Sequence, residues 1–138
     1  MTLGRDGART PMPWRSDAPE GGFTSGKPWL PLSHQNLALA VSIQQADSAS
    51  QLRETQHLLA LRRDNAALRI GRIENVVAEG ALLAFDRLAE NQRLRCLFNL
   101  SPELQEPAGV PANAAIVASV NGASLTSLPG WAALYLAF

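Results

Sequence analysis

The stretch RLRCLFNL, residues 93–100, has the clearest two-residue alternation in the chain. In an extended strand the even-numbered side chains Leu94, Cys96, Phe98 and Leu100 share one face, and the odd-numbered ones share the other. Alternation of this kind is typical of a strand with a different environment on each side. We therefore expect a strand within residues 92–101.

Four more runs of the same kind lie on either side of it. They contain β-branched or aromatic residues and are separated by Gly, Asn or Pro at roughly hairpin spacing. They are RIENVVAEG (72–80), ALLAFDRLAEN (81–91), NAAIVASVNG (113–122) and WAALYLAF (131–138). The pattern predicts a mainly β fold in which residues 71–138 form a small antiparallel β-sandwich.

The residues before this region have helical periodicity. NLALAVSIQQAD (36–47) predicts a short helix and SASQLRETQHLLALRRDNAALRIG (48–71) a longer one, with Ser48 and Gln51 as a capping box and Gly71 as the stop. One partly apolar face recurs at helical spacing in the longer helix: Leu52, Thr55, Leu58, Leu59 and Arg62. A helix of this kind is stabilised mainly by burial of its apolar face, so we expect this face to pack against another part of the protein.

The first 33 residues are different again. They hold five of the nine prolines and two of the three tryptophans, and they have no regular apolar period. Long loops of this kind are usually functional or disordered, and the aromatic content argues against disorder. We expect an ordered, functional loop.

Composition and charge exclude several classes of function. Twelve Lys and Arg balance twelve Asp and Glu, so no net field attracts nucleic acid or an anionic membrane. The single cysteine, Cys96, permits no internal disulfide and favours a reducing compartment. No apolar run approaches the ~20 residues of a membrane span, and the N-terminus lacks a signal-peptide pattern. The expected location is cytoplasmic.

Four motifs occur in a specific order: GRDGARTPMPW (4–14), GGFTSGKPWLPL (21–32), LLALRRDNAALRIG (58–71) and LLAFDR…QRLRCLFNLS (82–101). Together they resemble the C-terminal third of the α-glucosidases of glycoside hydrolase family 13, the oligo-1,6-glucosidase group, and the resemblance covers the whole chain. It implies that residues 1–70 are the loop after the eighth strand and the eighth helix of a (β/α)8 barrel. It implies that residues 71–138 are the β-sandwich called domain C.

The resemblance also implies where the chemistry lies. In that family an Asp nucleophile, a Glu acid/base and a second Asp lie on barrel strands upstream of anything that matches this chain. Retaining glycoside hydrolysis needs two carboxyl groups about 5 Å apart, and the acidic residues here are scattered along the sequence. We expect no catalytic residue in this chain and no activity from the chain alone.

Substrate contact is the role that the resemblance leaves to the N-terminal loop. An arginine of this loop in the similar enzymes reaches the terminal glucose and pairs with an aspartate from elsewhere. We assign this role to Arg9, with Arg5 as the second choice, because a guanidinium offers five fixed donors for a carboxylate and neighbouring hydroxyls. The alternative is that both arginines only hold the loop through backbone carbonyls and Asp6.

The remaining candidates favour structural roles. Trp14, Phe23 and Trp29 either stack on sugar rings or, as is commoner in such loops, form a core of their own. His34 and His57 are isolated, so neither a metal nor any other cofactor is expected. The Asn99–Ser101 glycosylation sequon is interpreted as a turn that ends a strand.

The expected partners are an α-linked gluco-oligosaccharide and a catalytic barrel outside this chain, with no nucleic acid and no membrane. Self-association through the uncovered helix face is a further expectation. The alternative function is a free-standing, non-catalytic β-sandwich module that binds carbohydrate or a partner chain.

Overall fold

The computed structural model describes residues 5–138, apart from the side chain of Arg5 and the burial of Gly7. The chain divides into two compact units, of which the first ends at Leu59 and the second runs from Ala60 to Phe138. Residues 1–4, which include Gly4, the first residue of the GRDGARTPMPW motif, lie outside the described part.

The second unit contains an antiparallel sheet, as the alternating runs predict. Its strands are β1 (Arg72–Glu79), β2 (Leu82–Ala89), β3 (Gln92–Asn99), β4 (Ala115–Val120) and β5 (Ala133–Ala137). Within the described residues these five strands form one sheet in the order β1-β2-β3-β5-β4, and every neighbouring pair is antiparallel. Each strand lies inside one of the runs identified from the sequence.

One face of the sheet carries the larger core. Leu97, Leu134 and Leu136 are at most 2% exposed and pack in one cluster with Leu128. Leu128 lies in the segment between β4 and β5, outside any regular strand, and pairs with Gln105 of the β3–β4 connection through an isolated bridge. The layer opposite this face is therefore an irregular segment and not a second regular sheet.

The other face is aromatic and meets a short helix. Phe85 stacks on Phe98 with ring centroids 5.6 Å apart, and Phe98 meets Tyr135 edge-on at 5.8 Å. Leu94 and Cys96, on this same face, are at most 1% exposed. The face assignment predicted for Leu94, Cys96 and Phe98 is confirmed, whereas Leu100 lies beyond the end of β3.

Each of the two predicted helices is interrupted once. The first becomes α1 (His34–Leu37) and α2 (Val41–Ala46), and the second becomes α3 (Gln51–Asp64) and α4 (Ala66–Ile70). The second break has a tertiary cause, because the Asn65 amide donates to Leu61 O at 2.7 Å and accepts from Gln92 Nε2 at 2.7 Å. Gln92 Oε1 then accepts from the Ala67 N–H, so the chain re-enters a helix against β3.

The predicted capping box at Ser48 and Gln51 is wrong. Ser50 takes the capping position, since its Oγ accepts from Arg53 N at 3.3 Å and donates to Gln44 O at 2.6 Å. Gln44 Oε1 in turn accepts from Leu52 N at 3.1 Å. The side chain of an earlier helix thus moves the start of α3 by two residues.

Gly71 ends α4, as the sequence predicts. A Cβ at this position would collide with the carbonyl oxygen of Ala67 and would lie 2.9 Å from that of Leu88. The requirement for glycine is therefore the close approach of helix and strand at the start of β1.

Candidate functional site

The N-terminal loop is held by backbone hydrogen bonds. The Trp14 and Arg15 N–H groups both donate to Gly21 O, at 2.8 and 2.9 Å. The Val41 N–H donates to Pro13 O at 2.9 Å, which joins the loop to the start of α2. Gly21 is buried with a φ of +62°, and a Cβ there would lie 2.9 Å from the Leu32 side chain. The expected ordered loop is confirmed for the described residues.

Arg9 lines a hollow on this loop. The hollow has a volume of about 300 Å³ and brings Arg9 together with Asp6, Phe23 and Trp29. Pro11, Pro28 and Leu30 complete its wall. We call it the Arg9 hollow.

The Arg9 side chain is exposed and forms no hydrogen bond or ion pair with any residue in the described part of the chain. Its backbone N–H donates to Asp6 O at 3.0 Å, so the peptide holds the turn while the guanidinium does not. Within residues 5–138, no hydrogen bond or ion pair of the Arg9 side chain supports the alternative that this side chain holds the loop. The backbone of Arg5 opens a 3-10 turn, Arg5–Ala8, but its side chain lies outside the description.

The three loop aromatics do not form a core of their own. Trp14 and Phe23 are each 50% exposed, and Trp29 is 98% exposed. The preference for structural packing is therefore wrong for Trp29, which leaves both faces of its indole accessible. The sequence carried one signal for this, since Trp29 lies between Pro28 and the Leu30-Pro31 pair in a stretch too stiff to fold back on itself.

Asp86 is the most buried carboxylate of the described chain, and both of its oxygens have structural partners. Oδ1 accepts from Arg95 NH1 at 3.2 Å, and Oδ2 accepts from Asn75 Nδ2 at 2.7 Å. Asp86 is 3% exposed and the Arg95 side chain 15%. Both oxygens being occupied, Asp86 serves as one half of a buried ion pair.

In the described part of the chain, Cys96 is not a reactive thiol and the histidines belong to no metal-binding cluster. Burial raises the pKa of Cys96 to about 11, against a smaller lowering by Arg87. Such a thiol is protonated at neutral pH and is a poor nucleophile. Among the described residues, no three His, Cys, Asp or Glu side chains converge on a point that could hold a metal ion.

Asn99 of the sequon is buried within the sheet end. Its Nδ2 lies 2.6 to 3.0 Å from the carbonyl oxygens of Glu103, Leu128 and Pro129, and its Oδ1 accepts from the N–H and the hydroxyl of Ser101. With 2% of the residue exposed, a glycan has no access to this nitrogen. Its interpretation as a strand-ending turn is confirmed.

Comparison with protein families gives a match on both parts of the chain. Residues 1–71 match the model described as "Alpha amylase, catalytic domain". Residues 74–135 match a second one, described as a domain of unknown function, DUF3459. The chain belongs to the α-amylase family, glycoside hydrolase family 13. Its antiparallel sheet after the end of the barrel corresponds to the C-terminal domain of that family.

Individual relatives point to the same family. A probable α-glucosidase of Rhizobium meliloti is 49% identical over 100 residues, which are 72% of this chain and 18% of the relative. A probable oligo-1,6-glucosidase 2 of Bacillus subtilis is 35% identical over 104 residues, 75% of this chain and 18% of the relative. This chain therefore spans about 18% of the length of these relatives.

A solved structure has the same fold throughout. The crystal structure of the α-glucosyl transfer enzyme XgtA superimposes with a TM-score of 0.81 at 38% identity. The match covers 97% of this chain and 26% of that enzyme.

Within residues 5–138, none of the helices has the length and apolar character needed to cross a bilayer.

Proposed function

We propose that this chain is the C-terminal part of an α-glucosidase that hydrolyses terminal α-glucosidic bonds of short oligosaccharides by a retaining mechanism. The catalytic carboxylates lie on barrel strands outside the chain, so the chain alone is inactive. The observation that carries the proposal is the Arg9 hollow on a loop that belongs to the catalytic-domain match. Loops at the C-terminal ends of barrel strands build the active site in this architecture.

Arg9 takes the substrate-contact role in this proposal. Its guanidinium is exposed, has no partner within the described residues and faces a hollow of monosaccharide size. A planar guanidinium can bridge a carboxylate from the barrel and two hydroxyls of the terminal glucose. The bridge holds the sugar in register with the nucleophile, which is how a residue without acid or base chemistry raises the rate.

The barrel is the proposed cover for the helical part of the chain. No residue of α3 is buried, and Leu59 on its predicted apolar face is 63% exposed. Leu52, Leu58 and Leu61 on the same helix are only partly buried, and an apolar face left open in this way marks an interaction surface. In the absence of a barrel, we expect the same surface to drive self-association.

A reducing, cytoplasmic location is part of the same proposal. The chain has one cysteine, and Cys96 is free and buried in the sheet. A protein that keeps a free thiol and no disulfide suits such a compartment.

The first experiment separates the chain from the longer protein. Purified residues 1–138 should hydrolyse no p-nitrophenyl α-glucoside, because two carboxyl groups about 5 Å apart are needed. The full-length protein should hydrolyse it. If the short chain still hydrolyses the substrate after purification, the catalytic carboxylates do not all lie outside it and the proposal is wrong. A coding sequence without barrel motifs upstream of Met1 would favour the free-standing module.

The second experiment tests Arg9 in the full-length protein. Arg9→Ala should lower kcat/KM by roughly 100-fold or more, since each charge-assisted hydrogen bond contributes about 1.5–3 kcal/mol. Arg9→Lys should restore little, because a point charge does not replace a fork of donors. Arg15→Ala is the matched control, since Arg15 lies on the same loop and pairs only with the exposed Asp17 within the described chain.

A structural role for Arg9 predicts the opposite pattern. The variant would lose heat resistance while kcat/KM of its folded fraction stayed unchanged. Measuring both quantities on one preparation of each variant decides between the two roles.

A further inference from the structure

The two outer strands of the sheet each contain one extra residue. The strand order of the described sheet places β1 and β4 at its edges. The pairing of β2 with β3 and of β3 with β5 runs without a break. The register shifts once in each outer strand, between Glu74 and Val77 of β1 and between Ile116 and Ala118 of β4. Such β-bulges bend an edge strand away from further pairing.

The bulge in β1 is fixed by a buried side chain. Asn75 and Val76 together occupy the place opposite Phe85, and Asn75 has a φ of +51°. The Asn75 amide donates to Asp86 Oδ2 at 2.7 Å, and Asp86 is 3% exposed. Asparagine is one of the few residues that enter the left-handed region readily. The interior of the sheet therefore holds the extra residue of β1 in place.

A straight β1 would suit a second copy of itself. The strand is eight residues long, and within the described sheet it pairs with β2 alone. Ile73 and Val76 on it are 55% and 60% exposed. Its first and last residues, Arg72 and Glu79, carry opposite charges. Antiparallel pairing of two copies therefore brings Arg72 of each opposite Glu79 of the other, which is a favourable cross-strand pair.

We propose that the outer edge of β1 is an interaction surface for a second copy of this chain and that the Asn75 bulge prevents this pairing. The contact is symmetric, because each copy contributes the same strand. The bulge interrupts the row of N–H and C=O groups in the middle of the strand, so one straight partner cannot satisfy both halves. The inference does not depend on the activity of the longer protein.

Deletion of Asn75 removes the bulge and keeps the rest of the register. Val76 then takes the place opposite Phe85, while Glu74 and Val77 keep their partners in β2. Two such strands pair about Val76, with opposite charges facing each other at both ends. The 138-residue chain without Asn75 should associate at concentrations at least about 10-fold lower than the parent chain, because several cross-strand pairs form together. Sedimentation velocity over a series of concentrations measures this.

Asn75→Gly is the matched control. It also loses the hydrogen bond to Asp86, but it keeps the extra residue and tolerates a φ of +51°. This variant should associate no more than the parent chain. Association through the uncovered face of α3 is common to all variants and cancels in the comparison. If Asn75→Gly associates as strongly as the deletion variant, the straightened edge is not the cause and the proposal is wrong.

Charge variants in the deletion background locate the contact. Val76→Lys places two lysines opposite each other at the centre of the pair and should return association to the level of the parent chain. Arg72→Glu should weaken association by about 3- to 10-fold, because like charges then face each other at both ends. Adding Glu79→Arg reverses both pairs and should restore it.

Hydrogen exchange separates edge pairing from loss of the fold. In the deletion variant, amides of residues 72–79 that point away from β2 should become protected as the concentration rises, while residues 94–99 stay protected as in the parent chain. If the deletion instead unfolds the sheet, Asn75→Val decides, because its branched side chain disfavours a positive φ without shortening the chain. It should associate more than the parent.

Two results would overturn the inference. The first is a folded deletion variant, or failing that a folded Asn75→Val variant, that associates no more than the parent chain at any concentration. The second is association of the deletion variant that persists unchanged after Val76→Lys, since the contact would then lie elsewhere. Neither result bears on hydrolysis by the full-length protein, which tests the proposed function separately.

Discussion

The two units of the chain differ in where their apolar side chains lie. In the second unit Leu94, Leu128, Leu134 and Leu136 are fully buried. In the described part of the first unit, Ala40 is the one buried apolar side chain apart from Pro11 and Pro13, while Met12, Trp14, Phe23, Trp29 and Leu39 are at least 50% exposed. The sheet thus contains its own core, whereas the loop and first helices leave most of their large apolar side chains exposed.

The ion pairs of the two units give the sharpest contrast. Asp86→Ala should lower the free energy of unfolding by about 3–5 kcal/mol, because it leaves the buried guanidinium of Arg95 without its charge partner. The control is Asp17→Ala, which breaks the exposed pair with Arg15 and should change nothing measurable.

Urea titration of both variants, with a double variant Asp86→Ala/Arg95→Leu, checks this first prediction. The double variant should recover part of the loss, since no unpaired charge remains. A single-variant loss below about 1 kcal/mol would mean that the pair is not a structural element of the sheet.

Two glycines extend the comparison to the backbone. Gly130→Ala should cost about 1–3 kcal/mol, because the new Cβ collides with the carbonyl oxygen of Pro102 and backbone cannot easily move aside. Gly26→Ala in the N-terminal loop meets no atom within 4 Å and should leave the unfolding midpoint unchanged. Thermal melts of the two variants side by side test the difference, and equal midpoints would argue against close packing at the sheet end.

The smallest expected effect is a pH dependence confined to the sheet. Burial raises the pKa of Cys96 to about 11 in the folded chain, whereas the pKa of an unfolded cysteine is about 8.5. The Cys96 thiol therefore retains its proton to a higher pH in the folded state than in the unfolded state. The stability that depends on this proton is complete below about pH 8.5 and is lost as the pH rises toward 11.

At pH 10 the loss should be about 1–2 kcal/mol relative to pH 8, measured by urea unfolding. Cys96→Ala serves as the reference, because it retains every other titrating group. Equal pH dependence of the two proteins would show that Cys96 does not contribute.

The strands could be predicted from the sequence because their determinants are local. The alternation in residues 93–100 and the turn residues around it specify β2, β3 and their neighbours, and the partners of β3 lie within the same 67-residue region from β1 onward. The irregular layer over one face could not be predicted, because the segment around Leu128 is held by contacts with side chains from several strands and not by a local sequence pattern.

The breaks and the cap of the helices depend on distant side chains. Asn65 interrupts the long helix through a hydrogen bond to Gln92, 27 residues away, and Ser50 caps α3 with the help of Gln44. A helical period cannot encode either contact. The candidate site shows the same limit, because Arg9 was identified from its motif whereas the exposure of Trp29 follows from a loop path that only the structure gives.

Hydrogen exchange on the 138-residue chain tests most directly whether only the second unit contains its own core. Amides of residues 94–99 should exchange at least about 100-fold more slowly than those of residues 5–10 and of the first turns of α3, although the α3 amides are hydrogen-bonded within the helix. That result would mean that α3 opens without unfolding the sheet. Equal protection of α3 and β3 would contradict the account, because both units would then unfold together as one self-sufficient body.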